Sequence, residues 1–195
     1  MKFCAREFPV KALRVSSQFQ AGRRAFLQRE YASAMEHFGK VAQARPDYAF
    51  VAANFRQGIW TYLGRTEYRL NRLSEAHRSL ERALVLDHQD SLAELYFGLT
   101  LARENDGGRA VAHLEKALKD LSGWIDSANA SNPSAALWDS QGEIRSAIAK
   151  SLQAVATHSC SVQELITIGE WIGERMEAEV EQVGRDESRR LNNEY

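Results

Sequence analysis

The chain has 195 residues, 44% of them hydrophobic, with 25 Lys and Arg against 26 Asp and Glu and a formal net charge of −1. The hydrophobic content is too high for a disordered chain, and the length suits one domain with a buried core. Only three prolines and many Ala, Leu, Glu and Arg residues favour helices and argue against an all-β fold. No apolar run approaches the roughly 18 residues that a membrane-spanning helix needs, so no membrane partner is expected.

The N-terminal segment, residues 1–14, carries charges that interrupt the apolar stretch of a secretion signal, so we predict a cytoplasmic protein. The two cysteines, Cys4 and Cys160, lie far apart and form no metal-binding or redox motif. Two unpaired thiols fit a reducing compartment.

Three stretches of the chain, residues 21–46, 63–88 and 97–122, align with one another without gaps. Each has a glycine in second place, an alanine further on, then a bulky apolar residue and finally a small residue. In that order, the four positions hold Gly22, Gly64 and Gly98; Ala34, Ala76 and Ala110; Phe38, Leu80 and Leu114; and Val41, Ala83 and Ala117.

We interpret each stretch as two helices joined by a short polar turn. Small residues let the two helix backbones approach, and the bulky residue fills the space beside them. The turns are predicted at residues 29–31, 71–73 and 105–108, the last of which contains two glycines. Since one such hairpin cannot bury its apolar face alone, it must stack on a neighbour.

This spacing resembles the tetratricopeptide repeat (TPR), a helical hairpin of about 34 residues. The resemblance covers about residues 15–124 and implies an all-α fold, a right-handed superhelix of three TPR hairpins. The second repeat matches best, with Trp60, Leu63, Gly64, Ala76, Leu80 and Ala83 at the family's Trp, Leu, Gly, Ala, Phe and Ala positions.

The first and second repeats are separated by an insertion after Pro46. Ala34 and Ala76 are 42 residues apart, whereas Ala76 and Ala110 are 34 apart. We predict that residues 47–70 form one unusually long first helix, with Asp47 near its N-cap.

After the third repeat, the chain is predicted to form a loop and two further helices. Residues 125–133 are assigned to a loop because they are rich in Ser, Asn and Ala and contain Pro133. Residues 134–195 are assigned to two C-terminal helices and a polar tail beyond Gly184. The first of these helices opens at Pro133 and ends at about Ala156.

The last helix is predicted to start with a capping box, Ser161 and Glu164. It carries Gly169 and Gly173 four residues apart, which allow a second helix to cross closely. We interpret the two C-terminal helices as a cap on the superhelix. A homodimer through the last helix is the alternative.

The resemblance implies a concave groove, lined by the first helices of successive repeats, in which TPR domains bind peptides. The family's inner-face positions hold arginines and aromatic residues in this chain, which suit carboxylates and apolar side chains. The Lys/Asn clamp of the family's chaperone-tail binders is absent from these positions, so that partner is not predicted. The alternative is that several of these residues only pack helix against helix. The predicted partner-binding residues are Phe19, Arg23, Phe26, Tyr62, Arg65, Tyr68, Arg69, Tyr96, Leu99 and Arg103.

Charge is divided unevenly along the chain. Residues 1–72 hold 13 Lys and Arg against 5 Asp and Glu, whereas residues 73–195 hold 12 against 21. An acidic segment of a partner could dock on the basic half through complementary charge. Nucleic acid is disfavoured as a partner, since it requires the arginines to cluster on one exposed face. The alternatives are solvated helix faces and attraction between the chain's own halves.

No motif supports catalysis, a cofactor or a metal. His158 and Cys160 come closest to a nucleophile and its base, but they lack a third, orienting group. Phosphate-binding glycine motifs are also absent from the sequence.

We therefore predict a non-catalytic protein–protein interaction adaptor or scaffold. It would bind an acidic or amphipathic peptide or helix of a partner protein in its groove. One alternative is a structural or regulatory subunit of a larger complex that uses its outer face or last helix. A less favoured one is RNA or DNA binding through the basic N-terminal half.

Overall fold

The structure, a computed structural model, describes residues 8–52, 54–131 and 138–193. Within these ranges the chain forms eight helices and one β-hairpin, and consecutive helices pack in pairs. No helix in the described ranges is long and apolar enough to span a membrane. In chain order the elements are α1 (Phe8–Leu27), α2 (Tyr31–Ala44), β1 (Ala49–Ala52), β2 (Phe55–Gly58), α3 (Ile59–Arg69), α4 (Leu73–Leu86), α5 (Ser91–Arg103), α6 (Gly107–Ser131), α7 (Glu143–Ala156) and α8 (Val162–Asn193).

The three predicted hairpins are confirmed as α1–α2, α3–α4 and α5–α6, and their turns share one geometry. A residue in the left-handed region follows the first helix of each hairpin, and the next residue's N–H bonds to a carbonyl five residues back. Such bonds satisfy the last carbonyls of a helix and so end it. The left-handed residues are Arg29 (φ 62°), Asn71 (φ 58°) and Asn105 (φ 65°).

The repeated glycine of each first helix lies directly against the repeated bulky residue of the second helix. A Cβ atom added at any of the three glycines would come within 3.0 Å of that bulky side chain. Close approach of the two helices therefore requires glycine, as the spacing predicted. The pairs, with the shortest such distance, are Gly22 with Phe38 (2.8 Å), Gly64 with Leu80 (2.5 Å) and Gly98 with Leu114 (2.9 Å).

The prediction of one long helix over residues 47–70 is wrong for the residues before Ile59, where α3 begins. Strands β1 (Ala49–Ala52) and β2 (Phe55–Gly58) pair as an antiparallel hairpin, and the helix that follows has Gly58, not Asp47, at its N-cap. The second strand turns Phe55 and Gln57 inward, with only 5% and 1% of their surfaces exposed. Tertiary packing of these two side chains thus outweighs a local preference for helix.

The prediction of a loop over residues 125–133 is wrong for residues 125–131, because α6 continues to Ser131. Ile125 extends the buried stripe of α6, and Trp124 packs edge-to-face on Trp138 with ring centroids 4.7 Å apart. This burial outweighs the low helix propensity of the Ser and Asn residues here. The rest of the predicted loop lies outside the described residues.

The first C-terminal helix, α7, begins at Glu143 rather than near Pro133, and it ends at Ala156 as predicted. Residues 138–142 form a turn that caps it. The Asp139 carboxylate accepts hydrogen bonds from the backbone N–H groups of Ile144 (2.9 Å) and Arg145 (3.0 Å). These bonds satisfy donors that have no partner within a helix.

The last helix, α8, has the predicted capping box and is longer than predicted. The Glu164 N–H donates to Ser161 Oγ (3.2 Å), and the Ser161 N–H donates to the Glu164 carboxylate (2.7 Å). The tail beyond Gly184 is helical to Asn193 instead of non-helical. Ion pairs three and four residues apart support this extension. They join Arg185 to Glu181 (3.9 Å) and Arg189 to Asp186 (3.6 Å).

The predicted N-terminal segment is helical over its described part. Helix α1 begins at Phe8, so residues 8–14 belong to the first hairpin. Pro9 lies in the first turn of α1, where its missing N–H costs no helical hydrogen bond. Residues 1–7 lie outside the described part of the chain.

Candidate functional site

The inner face of the hairpins is covered by α8, which lies across the first helices α5, α3 and α1. A Cβ atom added at Gly169 would lie 2.9 Å from Leu99 Cδ2, and one at Gly173 would lie 2.6 Å from Tyr96 Oη. The two glycines therefore allow α8 to sit directly on α5. The close crossing predicted from their spacing is a contact within one chain.

Four glutamates of α8 face the predicted arginines of the groove. Their spacing of four, three and four residues places them on one side of the helix. The arginines come from the first helices of all three hairpins. The ion pairs join Arg103 to Glu170 (2.7 Å), Arg69 to Glu174 (2.5 Å), Arg65 to Glu177 (2.8 Å), and Arg23 to both Glu177 (2.9 Å) and Glu181 (2.5 Å).

Glu177 is at the centre of this network, with 4% of its side chain exposed. Its Oε1 accepts from Arg23 Nε (3.1 Å) and Nη2 (2.9 Å), and its Oε2 accepts from Arg65 Nη1 (2.8 Å). The Tyr62 hydroxyl donates to Oε1 at 3.4 Å. Arg65 also donates to Gln57 Oε1 (2.8 Å) in the β-hairpin, which fixes the guanidinium in place.

The electrostatics of the centre favour an ionised Glu177. Burial is the largest single influence and opposes ionisation, but the Arg65 and Arg23 guanidiniums outweigh it and lower the pKa of Glu177. Burial is the largest influence on the Tyr62 phenol and the charge of Glu177 is the next, and both raise the pKa of Tyr62. The arrangement is therefore a buried carboxylate held by two cations and one neutral hydroxyl, which is how a buried charge is tolerated.

The end of the groove near α5 holds a second carboxylate, Glu170. It accepts from the Tyr68 hydroxyl (2.6 Å) and from Arg103 Nη2 (2.7 Å). The Arg103 guanidinium lies over the Tyr68 ring at 4.2 Å from its centroid. Burial, and then the hydrogen bond to Glu170, raise the pKa of Tyr68, so its hydroxyl remains a donor.

The predicted groove residues thus lie together, but in this structure the groove is not open. Tyr62, Arg65, Tyr68 and Tyr96 are fully buried, and Leu99 lies beneath α8. Their partner here is the chain's own last helix. That another protein binds them remains a prediction.

Two of the predicted residues have a packing role. Phe19 lies between Tyr48 and Tyr62, with both ring centroids 5.0 Å from its own, in the core of the first hairpin. This packing accounts for the complete burial of Phe19. Phe26 supports the site indirectly, because the Arg65 guanidinium lies 5.0 Å from its ring centroid.

A cavity of about 160 Å³ remains between the groove and α8. It is lined by Arg65, Arg69 and Tyr96 from the groove and by Ala178 from α8, among others. Arg65 Nε, Arg69 Nε and Tyr96 Oη have no hydrogen-bond partner among the described residues. Because a buried donor without a partner costs about 1–3 kcal/mol, α8 does not fully satisfy the groove.

Sequence reasoning missed the groove's partner residues and one of its walls. The glutamates of α8 carried two signals, a one-sided helical spacing and the negative charge of the second half. The β-hairpin supplies Gln57 to Arg65, and it supplies Phe50, whose ring centroid lies 4.6 Å from the Arg23 guanidinium carbon. No local pattern in residues 49–58 marks these two side chains as parts of the site.

His158 and Cys160, the residues nearest to a catalytic pair in the sequence, lie at a different cavity from the groove. Over the described ranges no group of three or more His, Cys, Asp and Glu residues could hold a metal. His158 and Cys160 line a cavity of about 360 Å³ with apolar neighbours and Glu115. Glu115 pairs with Lys119 at 2.6 Å.

Comparison with known proteins shows the fold. No protein-family model and no curated protein sequence matches the chain. It is similar to the TPR2B domain of yeast Sti1 in its pHsp70 complex, with a TM-score of 0.51 and 12% identity over 75% of this chain and 98% of that one. The first TPR of Spaghetti (RPAP3), bound to the HSP90 peptide SRMEEVD, gives a TM-score of 0.45 and 17% identity over 76% and 95%. Together with its three hairpins, the similarity to Sti1 shows that the chain has the fold of a TPR domain.

Proposed function

We propose that this chain is a non-catalytic protein-interaction domain, an adaptor or scaffold whose concave groove binds an acidic amphipathic helix or peptide of a partner protein. The observation that carries the proposal is the pairing of four inner-face arginines with glutamates on one side of a single helix. The similar domain of yeast Sti1, which is known in a complex with pHsp70, supports the groove as a peptide-binding surface.

The chemistry of the groove selects a helix with carboxylates over a polyanion such as nucleic acid. The guanidiniums of Arg23 and Arg65 are buried and converge on one carboxylate, whereas phosphate backbones are contacted by exposed, clustered cations. A fully buried aromatic wall, including Tyr62 and Tyr96, favours a side-chain surface that is apolar between its charges. Cytoplasmic action remains part of the proposal, since unpaired cysteines persist in a reducing compartment.

Charge reversal at the edge of the groove tests the proposal. Arg65 is unsuitable, because reversing a fully buried cation beside Glu177 would unfold the site. We choose Arg69→Glu with Arg103→Glu, whose side chains are 16% and 33% exposed. The matched control is Arg109→Glu with Lys119→Glu, on exposed positions of α6.

The measurement is affinity purification from the native host with quantitative mass spectrometry. The wild type and the control should capture the same proteins in the same amounts. The groove variant should capture about tenfold less of each, which corresponds to a loss of about 1.4 kcal/mol of binding free energy. The segment that binds should map to an acidic helix of the captured protein. Equal capture by the groove variant would refute the proposed site, provided that circular dichroism shows an intact helical fold.

A structural subunit that assembles through its last helix is the second candidate. Trp171, on α8, is 38% exposed, an unusual surface position for so large an apolar side chain. If this surface assembles, light scattering after size exclusion should show an oligomer that Trp171→Ala disrupts. A monomer at all accessible concentrations would remove this candidate.

A further inference from the structure

We infer that α8 is the resident ligand of the groove and that the partner enters by exchange, its own acidic helix replacing α8. This inference rests on the proposed function and adds its regulation and its recognition pattern. The pattern is read from α8 itself. It consists of two small residues four apart, at Gly169 and Gly173, and of carboxylates at Glu170, Glu174, Glu177 and Glu181.

The small residues are the steric part of the pattern. At Gly173 an added Cβ would lie 2.6 Å from Tyr96 Oη and 2.7 Å from Tyr96 Cε2, and Tyr96 is fully buried. At Gly169 it would lie 2.9 Å from Leu99 Cδ2. Since buried side chains cannot easily move aside, a helix with large residues at both positions cannot lie as deep in the groove.

The carboxylates fix which side of the helix faces the groove. Glu177 reaches two buried guanidiniums, whereas Glu170 and Glu174 meet arginines nearer the surface. A helix that slides along the groove by one turn could still bring a glutamate, Glu174 or Glu181, to Arg23 and Arg65. Such a slide would, however, place a larger residue than glycine against Leu99 or Tyr96, so the glycines fix the register while the carboxylates supply the charge.

The resident helix leaves room for a better ligand. Ala178 lines the cavity together with Arg65, Arg69 and Tyr96, each of which has a buried side-chain atom without a hydrogen-bond partner among the described residues. A partner helix with Gln or Glu at the position of Ala178 would fill this cavity and bring an acceptor beside these three side chains. Such a helix can exceed α8 in affinity even though both share the rest of the pattern.

Exchange also sets a threshold for binding. Helix α8 is joined to α7 by residues 157–161, and a segment on so short a tether acts at an effective concentration on the order of millimolar. A partner therefore binds only the fraction of molecules whose groove is free, which weakens its apparent affinity. Locking α8 in place should abolish binding, and releasing it with the groove arginines intact should strengthen binding.

The test uses the full chain with Cys4→Ser and Cys160→Ser, together with Leu99→Cys and Gly169→Cys. The Cβ position at Gly169 lies 3.6 Å from Leu99 Cγ, which places the two introduced thiols within reach of a disulfide. The substitution of Leu99 also removes the atoms nearest to the new side chain. The probe is a fluorescent peptide with the sequence of residues 165–183 carrying Ala178→Gln.

The peptide should bind the reduced protein and lose at least about tenfold in affinity when the disulfide closes, because the tethered helix can no longer leave. A peptide in which Gln replaces Glu170, Glu174, Glu177 and Glu181, with Glu179 kept, should bind neither form. Equal binding to both redox forms would overturn the inference, since the peptide would then bind outside the groove. A dimer in light scattering would overturn it too, because a second copy's α8 would be the occupant.

A release variant separates this inference from the proposed function. Gly173→Leu should force α8 out of the groove, and Glu170→Gln with Glu174→Gln is a milder release variant if the first fails to fold. Equal peptide affinity for a release variant and for the reduced protein would refute exchange, because α8 would then not compete for the groove, and would leave the acidic-helix groove standing. Absence of binding to a folded release variant would refute both.

Discussion

Replacing Glu177 with Gln removes the central charge of the groove while preserving the shape of the side chain. The carboxylate accepts from two guanidiniums and one hydroxyl, and 4% of it is exposed. Removing one partner of a buried charge pair costs about 3–5 kcal/mol. Because Gln keeps one acceptor oxygen, we expect the low end, about 3 kcal/mol.

Glu174→Gln is the matched control on the same helix. Its carboxylate is 47% exposed and pairs with Arg69 at the edge of the groove, so the loss should stay below about 1 kcal/mol. In urea, with a slope of about 2 kcal/mol per molar, E177Q should lower the unfolding midpoint by about 1.5 M. Unfolding followed by circular dichroism measures both variants. Equal midpoints for the two would refute the central role of Glu177.

Three further predictions concern the same fold. Gly98→Ala should destabilise the chain by about 1–2 kcal/mol, because its Cβ would lie 2.9 Å from Leu114, whereas Gly123→Ala, in open space on α6, should stabilise it by about 0.5–1 kcal/mol. Asp90→Ala should cost about 2 kcal/mol in urea unfolding, since this buried carboxylate caps α5 and also bonds to the β-hairpin. The lowered pKa of Glu177 means that its contribution is present above the ordinary value of 4.5 and is lost as pH falls through the lowered value. The difference in melting temperature between wild type and E177Q should therefore shrink as pH falls below 4.5, and a constant difference would contradict this.

The hairpins could be predicted from sequence because their decisive contacts are local. In each hairpin the glycine and the bulky residue that meet are sixteen positions apart, as Gly64 and Leu80 are, so one repeating pattern encodes the contact. The capping box of α8 is local as well, since Ser161 and Glu164 bond to each other.

The place of α8 could not be predicted in the same way. Arg23 and Glu177 are 154 residues apart, and a helix with glutamates on one side has the same sequence pattern whether that side faces solvent or a groove. The uneven charge of the two halves indicated which surfaces attract each other. It could not indicate whether the acidic helix comes from this chain or from another.

The β-hairpin was missed for a related reason. Residues 49–58 contain a single β-branched residue, Val51, so their local preference for strand is weak. The hairpin is held by Phe55, which packs on Trp124 in a distant segment, and by Gln57, which accepts a hydrogen bond from Arg65 in the helix that follows. Asn54 has a φ of 66°, a left-handed conformation that asparagine tolerates in tight turns.

Hydrogen–deuterium exchange of α8 tests most directly whether the groove arginines hold an acidic helix. In the wild type, amides around Glu170 to Glu177 should be protected nearly as well as those of α5. In the variant carrying Arg69→Glu and Arg103→Glu, α8 should lose this protection while the hairpins α3–α4 and α5–α6 keep theirs. Equal exchange of α8 in both proteins would contradict the assignment of these arginines as the residues that bind an acidic helix.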